Sequence, residues 1–404
     1  MHSKNLVRTV VAVALLAASA SGQVADFWRE NLPPLPTPRQ EVGVALLDSK
    51  IYVIGGILAD RSTTGVVERF NLTSGQWEPV PPLPNNVRLH HVGAASAGGK
   101  VFAVGGLNSS FQGVRSLYAF DPVANAWDQL ADLPTARGAM GVAAIDDRLY
   151  AAGGQSGSAT FSDFAVYLVD ENRWEPLPAM PTARNHLAGV AADGRFFAVS
   201  GRSSAGLLNQ FEVYDPLLND WDALAAIPTA RAGIAAAVLD DSIFVFGGEG
   251  NANDPLGIFH EVESYRISDD RWIRRADMAT PRHGIGAVAV ENSIHIPGGS
   301  PVDGFGVVDV HDAFVPVELL PGDYTADGRV DAADYTVWRD TLGDAGGGLP
   351  ADGDGDGRIT QLDYEFWRMQ FGTAASADRA VPEPAFRAIV LSALAVVARR
   401  RPKP

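Results

Sequence analysis

Two runs of oxygen-bearing side chains near the C-terminus are spaced as if to surround a metal ion. Asp323, Thr325, Asp327, Asp331 and Asp334 stand at positions 1, 3, 5, 9 and 12 of a twelve-residue loop. Asp352, Asp354, Asp356, Thr360 and Asp363 repeat that spacing 29 residues later. Gly328 and Gly357 at position 6 permit the sharp turn, and Arg329 and Arg358 at position 7 offer backbone carbonyls. Calcium is a hard ion that takes roughly six to eight oxygens, and this pattern wraps carboxylates and one carbonyl around a single ion. The expectation is two Ca²⁺ ions. A second set of reactive groups, among them His90, Asn185, His186, Arg202, Glu249 and His283, is scattered over some 200 residues.

Charge and composition narrow the chemistry. The 404-residue chain carries a net charge of −16, and residues 317–373 hold twelve acidic residues against four arginines, half of that excess. Such a concentration repels itself, and divalent cations would offset it. The sign excludes a nucleic-acid partner. There is no cysteine, so no disulfide and no thiol chemistry. Gly154-Gln-Ser156-Gly-Ser158 lacks the last glycine of a nucleophile elbow, and there is no His-Glu-x-x-His.

A unit of roughly 50 residues recurs six times. Gly-Gly doublets stand at Gly55-Gly56, Gly105-Gly106, Gly153-Gly154, Gly247-Gly248 and Gly298-Gly299, with Ser200-Gly201 as a degenerate copy. Trp77, Trp127, Trp174, Trp221 and Trp272 follow the first five, and Trp28 stands alone ahead of them all. Each unit reads as four strands parted by turn signals, such as Asp48-Ser-Lys50 and Ala97-Gly-Gly-Lys100. Strand-rich repeats of this period point to a propeller or a solenoid. The offset tryptophan predicts that the N-terminal piece completes the last unit and closes a ring.

The segments Ile51–Gly56, Val101–Gly106, Leu149–Gly154 and Ile243–Gly248, each preceded by an arginine and followed by a tryptophan, with Phe120-Asp121-Pro122 and Tyr214-Asp215-Pro216 as the middle element of two units, resemble kelch repeats. The resemblance covers about residues 26–316 and implies an all-β, six-bladed kelch β-propeller over 24–316. Arg39, Arg88, Arg137, Arg184, Arg231 and Arg282 recur in every unit and are expected to tie loops together. Ligand-specific residues should be those that break the repeat. By the same resemblance they follow each arginine and each doublet near the mouth: Gln40 and Glu41, His90, Asn185 and His186, His283, then Asn108, Gln155, Arg202 and Glu249. His90, His186 and His283 come from three units and also suggest a three-histidine metal site. The copper oxidase chemistry of some kelch propellers needs a cysteine and is excluded.

The two acidic loops, each followed by a helix ending in Leu-Gly or Phe-Gly, resemble a type I dockerin over 320–373. That resemblance implies a small α-helical calcium module that docks onto a cohesin-like protein. The family's partner-reading positions, often Ser-Thr, are Ala332-Ala333 and Gln361-Leu362 here. Residues 1–22 combine Lys4 and Arg8, an apolar core and Ala18-Ser-Ala20, the pattern of a secretory signal peptide. Over 374–404, Val381-Pro-Glu-Pro384, an apolar run to Ala398 and Arg399-Arg-Arg401 resemble a PEP-CTERM sorting signal. That run is too short to span about 30 Å of hydrocarbon, so the tail implies transient membrane contact and a Gram-negative cell surface.

These readings converge on an exported, surface-associated binding or assembly protein with no catalytic residues assigned. A cohesin-like protein or a cell-surface polysaccharide would be its partner. The alternative is a sugar-modifying enzyme of the mutarotase or lyase type, working at the propeller mouth by acid–base chemistry.

Overall fold

The computed structural model describes residues 26–373, apart from positions 269, 318, 319, 321, 326–328, 346–348, 350 and 354–356. The expected leader, the sorting tail, and the loop residues Asp327, Asp354 and Asp356 lie outside the described residues. Six four-stranded antiparallel sheets succeed one another. Blade 1 runs Gly43–Leu47, Lys50–Ile54, Val67–Asn71 and Gln76–Val80. Its second strand is apolar from Ile51 to Ile54 and wholly buried, as a strand covered by sheets on both faces must be. The innermost strands are rich in alanine and glycine because six of them converge on one axis. A Cβ on Gly141 would meet the backbone of Gly189 in the next blade at 2.9 Å. These strands line a channel of about 580 Å³ with small side chains and exposed backbone.

The ring closes as expected. Phe27–Arg29 pairs with His311–Val315, placing Trp28 opposite Phe314 and supplying blade 6 with its outer strand. The six tryptophans then do one job. Each indole N–H donates to a carbonyl just past the outer strand of the preceding blade: Trp77 to Pro33, Trp127 to Pro81, Trp174 to Ala131, Trp221 to Pro178, Trp272 to Ala225 and Trp28 to Asp277. Each ring also packs on an aromatic of its own blade, Phe70 for Trp77 and Tyr265 for Trp272. The tryptophan is thus the inter-blade fastener.

The doublets are required by close approach. Gly55 has φ +63°, and a Cβ there would sit 2.3 Å from the Leu89 carbonyl. In blade 4, Ser200 tolerates the same conformation because its hydroxyl donates to that equivalent carbonyl, Arg231 O, at 2.7 Å.

Five of the recurring arginines are wholly buried: Arg39, Arg137, Arg184, Arg231 and Arg282. Arg184 binds Glu212 at 2.5 Å and donates to the Ala198 carbonyl, and Arg39, Arg231 and Arg282 hold Glu68, Glu263 and Asp312 in the same way. Arg88 does not belong to the set. It is exposed, and Leu89 fills the equivalent buried place. Blade 2 has also lost the carboxylate, with Tyr118 at the position of Glu68. Both lie in one apolar cluster. A buried charge without its partner would be costly, and blade 2 has lost both members. Blade 3 keeps Arg137 with Ala165 at the acid's position, and Arg137 rests on the Ala151 carbonyl and the more distant Asp163 at 3.9 Å.

Beyond the ring, two helices, α1 (Ala332–Thr341) and α2 (Gln361–Gln370), follow the two acidic loops. Each begins with a capping box, Asp331 with Asp334 and Thr360 with Asp363. Val330 pairs with Gly372 and Thr373 beyond α2, and Ile359 pairs with Gly343 and Asp344 beyond α1. The sequence duplication has become a two-fold arrangement. No helix among the described residues is long and apolar enough to cross a membrane.

Candidate functional site

At one end of the channel the blades are stitched by a closed circle of backbone hydrogen bonds. The N–H of Glu41 donates to Gly284 O, His91 to Glu41, Ala139 to His91, His186 to Ala139, Gly233 to His186 and Gly284 to Gly233, all at 2.7–3.0 Å. All six residues have φ between +52° and +67°. Glycine suits that conformation in blades 5 and 6, but Glu41, His91 and His186 adopt it at a cost of about 1–3 kcal/mol each. Strained polar residues held by a rigid circle mark the axis as the candidate site.

Around the circle the polar side chains interlock. His91 Nε2 lies 3.0 Å from Glu41 Oε2 and 2.9 Å from His186 Nε2. Arg202, on the short hairpin after blade 4's doublet, reaches His186 Nε2 at 3.0 Å and Glu249 Oε1 at 2.6 Å. His283 Nδ1 lies 3.3 Å from Glu249 and 3.5 Å from Glu41, and its Nε2 bonds the Val302 carbonyl. Above this floor stand two exposed rings from different blades, Phe111 and Phe305, with centroids 6.5 Å apart, and Arg61 lies over Phe305.

The two carboxylates are tuned apart. Burial alone would raise Glu41, but the adjoining His91 and His283 outweigh it and hold the acid well below the usual carboxylate range. Burial raises Glu249, with His283 and Arg202 opposing and Glu41 reinforcing the shift. His186 is driven well below its ordinary value by burial and by the nearby His91 and Arg202, and His90 falls to about 4 through burial and His91. Burial would lower His283, but its hydrogen bond to Glu41 and the Glu249 charge raise it.

Asn185, His186, Arg202, Glu249 and His283 therefore do meet at the mouth. The three-histidine site does not form. His90 sits behind His91 and donates to Asn108, while His186 and His283 fall in two separate triads, Glu41–His91–His186 and Glu41–Glu249–His283. Asn108 uses its side chain on its own turn, accepting from Ser110 and Gln112. Glu249 is also no exposed substituent. It is 4% exposed and cross-linked to blades 4 and 6. His91 escaped sequence reasoning because Arg88 shifts blade 2 by one residue. With Leu89 in register, the second position after the repeat arginine reads Glu41, His91, Ala139, His186, Gly233, Gly284, and the polar half of that list is the site.

In the second region, Asp334 and Asp363 are fully buried. Asp334 accepts from the backbone N–H groups of Thr325 and Asp331, and Asp363 from those of Gly353 and Thr360. Asp323 is also buried, with Thr325 bonded to both Asp323 and Asp334.

The kelch-like protein terF of Aspergillus terreus (strain NIH 2624 / FGSC A1156) is 29% identical over 350 residues, covering 78% of this chain and 75% of that protein. Kelch-like ECH-associated protein 1B of Danio rerio is 28% identical over 143 residues, 35% of this chain and 24% of that protein. Kelch-like protein 40 of Mus musculus is 29% identical over 144 residues, 35% of this chain and 23% of its own length. The solved structure of YjhT superposes with a TM-score of 0.59 at 16% identity, covering 69% of this chain and 96% of that one, a likeness of fold alone. The KLHDC2/KLHL20/DRC7 Kelch-repeats domain family matches residues 29–182 and 134–299. Six blades, six fasteners and this match across most of the ring agree: the chain belongs to the kelch-repeat family.

Proposed function

We propose that this is an exported, surface-associated binding protein whose propeller mouth takes a polyhydroxylated ligand, a surface carbohydrate in the first instance. The observation that carries this reading is the pairing of half-exposed Arg202 with buried Glu249 beneath the open rings of Phe111 and Phe305. A guanidinium and a carboxylate offer donors and acceptors to hydroxyl groups, and aromatic rings cover the apolar C–H face of a sugar. Association with another protein, as the name of the zebrafish relative records for that protein, is the other binding mode open to a kelch ring.

The C-terminal segment would serve as a calcium-dependent docking module. Asp323, Thr325, Asp331 and Asp334, with Asp352, Thr360 and Asp363, present oxygen donors of the kind Ca²⁺ prefers, and the buried Asp334 and Asp363 support that assignment. The Arg329 and Arg358 carbonyls, with Asp327, Asp354 and Asp356, would complete the two shells. Calcium would neutralise the loops and let them fold. The partner would be cohesin-like or a cell-surface polysaccharide, and the leader and sorting tail would bring the protein to a Gram-negative surface.

One observation favours a second reading, a sugar-modifying enzyme of the mutarotase or lyase type. Glu41 is held acidic while Glu249 is raised, the separation that lets one carboxylate accept a proton and another donate it. A glycan array on the full chain, followed by titration of each hit, tests the primary reading. Binding should vanish in Arg202→Ala and weaken in Phe111→Ala. Saturable binding unchanged in both variants, or no glycan bound at all, would remove the carbohydrate assignment. Turnover of a bound sugar would select the enzyme.

A further inference from the structure

The hydrogen bonds at the mouth aim several ring nitrogens and a carboxylate at one point on the axis. His186 Nδ1 stands 2.6 Å from Asn185 Oδ1, and the amide nitrogen of Asn185 turns away to Thr160 Oγ1 at 2.8 Å. An amide oxygen only accepts, so His186 carries its proton on Nδ1 and presents a bare Nε2. On the other side, His90 Nε2 donates to the Asn108 carbonyl at 3.0 Å, and His90 Nδ1 faces His91 Nδ1 at 2.5 Å. With the proton of His90 committed to Asn108, the proton between the two Nδ1 atoms belongs to His91, whose Nε2 faces Glu41 and His186 either as an N–H donor or as a metal ligand.

Two imidazole nitrogens and a carboxylate oxygen thus face one another. His91 Nε2 lies 2.9 Å from His186 Nε2 and 3.0 Å from Glu41 Oε2, and all three atoms lie within 4.8 Å of one another. Three such atoms at this spacing need a proton on His91 Nε2 or a metal ion among them. Ligands about 2.0–2.1 Å from one ion stand about 3.3–3.4 Å apart at the tetrahedral angle zinc prefers, so the three atoms would spread by a few tenths of an ångström to take the ion.

We propose that Glu41, His91 and His186 bind one divalent transition-metal ion of the zinc class on the propeller axis. Imidazole with a single carboxylate selects zinc, cobalt or nickel over calcium. Each histidine is fixed through its other ring nitrogen, by Asn185 and by His90, as ligating imidazoles characteristically are. Glu41 is steadied in turn by His283 at its other oxygen. Three protein ligands leave coordination positions open toward the mouth for water or a ligand oxygen. Arg202 Nη2, 3.0 Å from His186 Nε2, competes for the same lone pair. Its side chain is 36% exposed and is anchored to Glu249 through Nη1, so Nη2 can swing clear while that ion pair holds. The site stands independently of the carbohydrate reading.

The test is calorimetric titration of the full chain with Zn²⁺ under excess Ca²⁺, which would saturate the acidic loops, with Co²⁺ as the spectroscopic probe. One Zn²⁺ per chain is expected, with a Co²⁺ d–d spectrum showing nitrogen ligation. Glu41→Gln, His91→Ala and His186→Ala should each weaken binding by more than the about 10–100-fold that loss of an outer partner costs, and Asn185→Ala should fall within that range. Alanine is tolerated by this backbone, because Ala139 adopts the same φ in blade 3. Should a ligand variant fail to fold, Arg202→Met keeps all three ligands and should tighten binding several-fold. No saturable Zn²⁺ or Co²⁺ uptake by the wild type, or equal uptake in Glu41→Gln and His186→Ala, would overturn the site. So would ring ¹⁵N shifts showing both nitrogens of His91 protonated in the presence of Zn²⁺, because a proton would then occupy the place assigned to the metal.

Discussion

Trp338 of α1 donates its indole N–H to the carbonyl of Thr360, the N-cap of α2, at 2.7 Å, and Trp367 of α2 donates to the carbonyl of Asp331, the N-cap of α1, at 2.8 Å. Each helix therefore holds the loop that starts the other. Tyr335 and Tyr364 fill the space between, with Tyr335 against Trp367 and Trp338 against Tyr364. Trp338→Phe keeps the ring and deletes one bond, a loss of about 1 kcal/mol. Amide exchange should accelerate around 360–364 more than around 331–335, and Trp367→Phe should do the reverse. Acceleration confined to the mutated helix would show that the cross-bracing carries no energy.

Ring closure gives a second expectation. Trp28 lies close to the chain's start, where truncation is ordinarily cheap, yet it packs on Phe246 and Phe314 and fastens blade 6 to blade 5. Trp28→Ala should lower stability about as much as Trp127→Ala, each by roughly 3 kcal/mol, read as a fall in the denaturation midpoint. A Trp28 variant that melts like wild type would mean the ring does not depend on its N-terminal strand.

Blade 2 supplies a design for the third. Arg184→Leu leaves Glu212 buried without its charge partner and should cost about 3–5 kcal/mol. Adding Glu212→Tyr copies the Leu89 and Tyr118 pair that blade 2 already uses, and at least half of the loss should return. Chemical denaturation of the two variants decides it. A double variant no more stable than the single would mean that blade 2 depends on something other than this exchange.

A fourth concerns acid. His311 is wedged against Phe70 and Trp77 where blade 6 meets blade 1, 3.0 Å from His295. Burial and the neighbouring His295 lower His311 to about 3, and burial with Arg29 lowers His295 to about 4. Both histidines are neutral in the folded protein, whereas an unfolded chain takes up protons near pH 6.5. The unfolded state therefore binds more protons below that pH. Stability present above pH 6.5 should be lost as pH falls toward 4, by on the order of a few kcal/mol for the pair. His311→Phe should flatten the melting temperature between pH 7 and pH 5 relative to wild type. An unchanged slope would place the acid sensitivity elsewhere.

The blade count, the closing tryptophan and the two-loop duplication could be read from the chain because each is periodic. A fold built from repeats writes every structural requirement several times, so Trp28 announced its role by standing one unit out of phase. The five buried arginines were legible for the same reason, and Arg88 was misread because blade 2 exchanged the arginine and its acid for an apolar pair one residue away. The mouth was only partly visible. His186, Arg202, Glu249 and His283 could be named as residues that break the pattern, but no periodicity reveals what a ring folds onto its axis. That Glu41 and His91 meet His186 depends on six left-handed residues from six blades closing one circle of hydrogen bonds. Only the assembled ring brings together groups up to 242 positions apart in the chain, as Glu41 and His283 are.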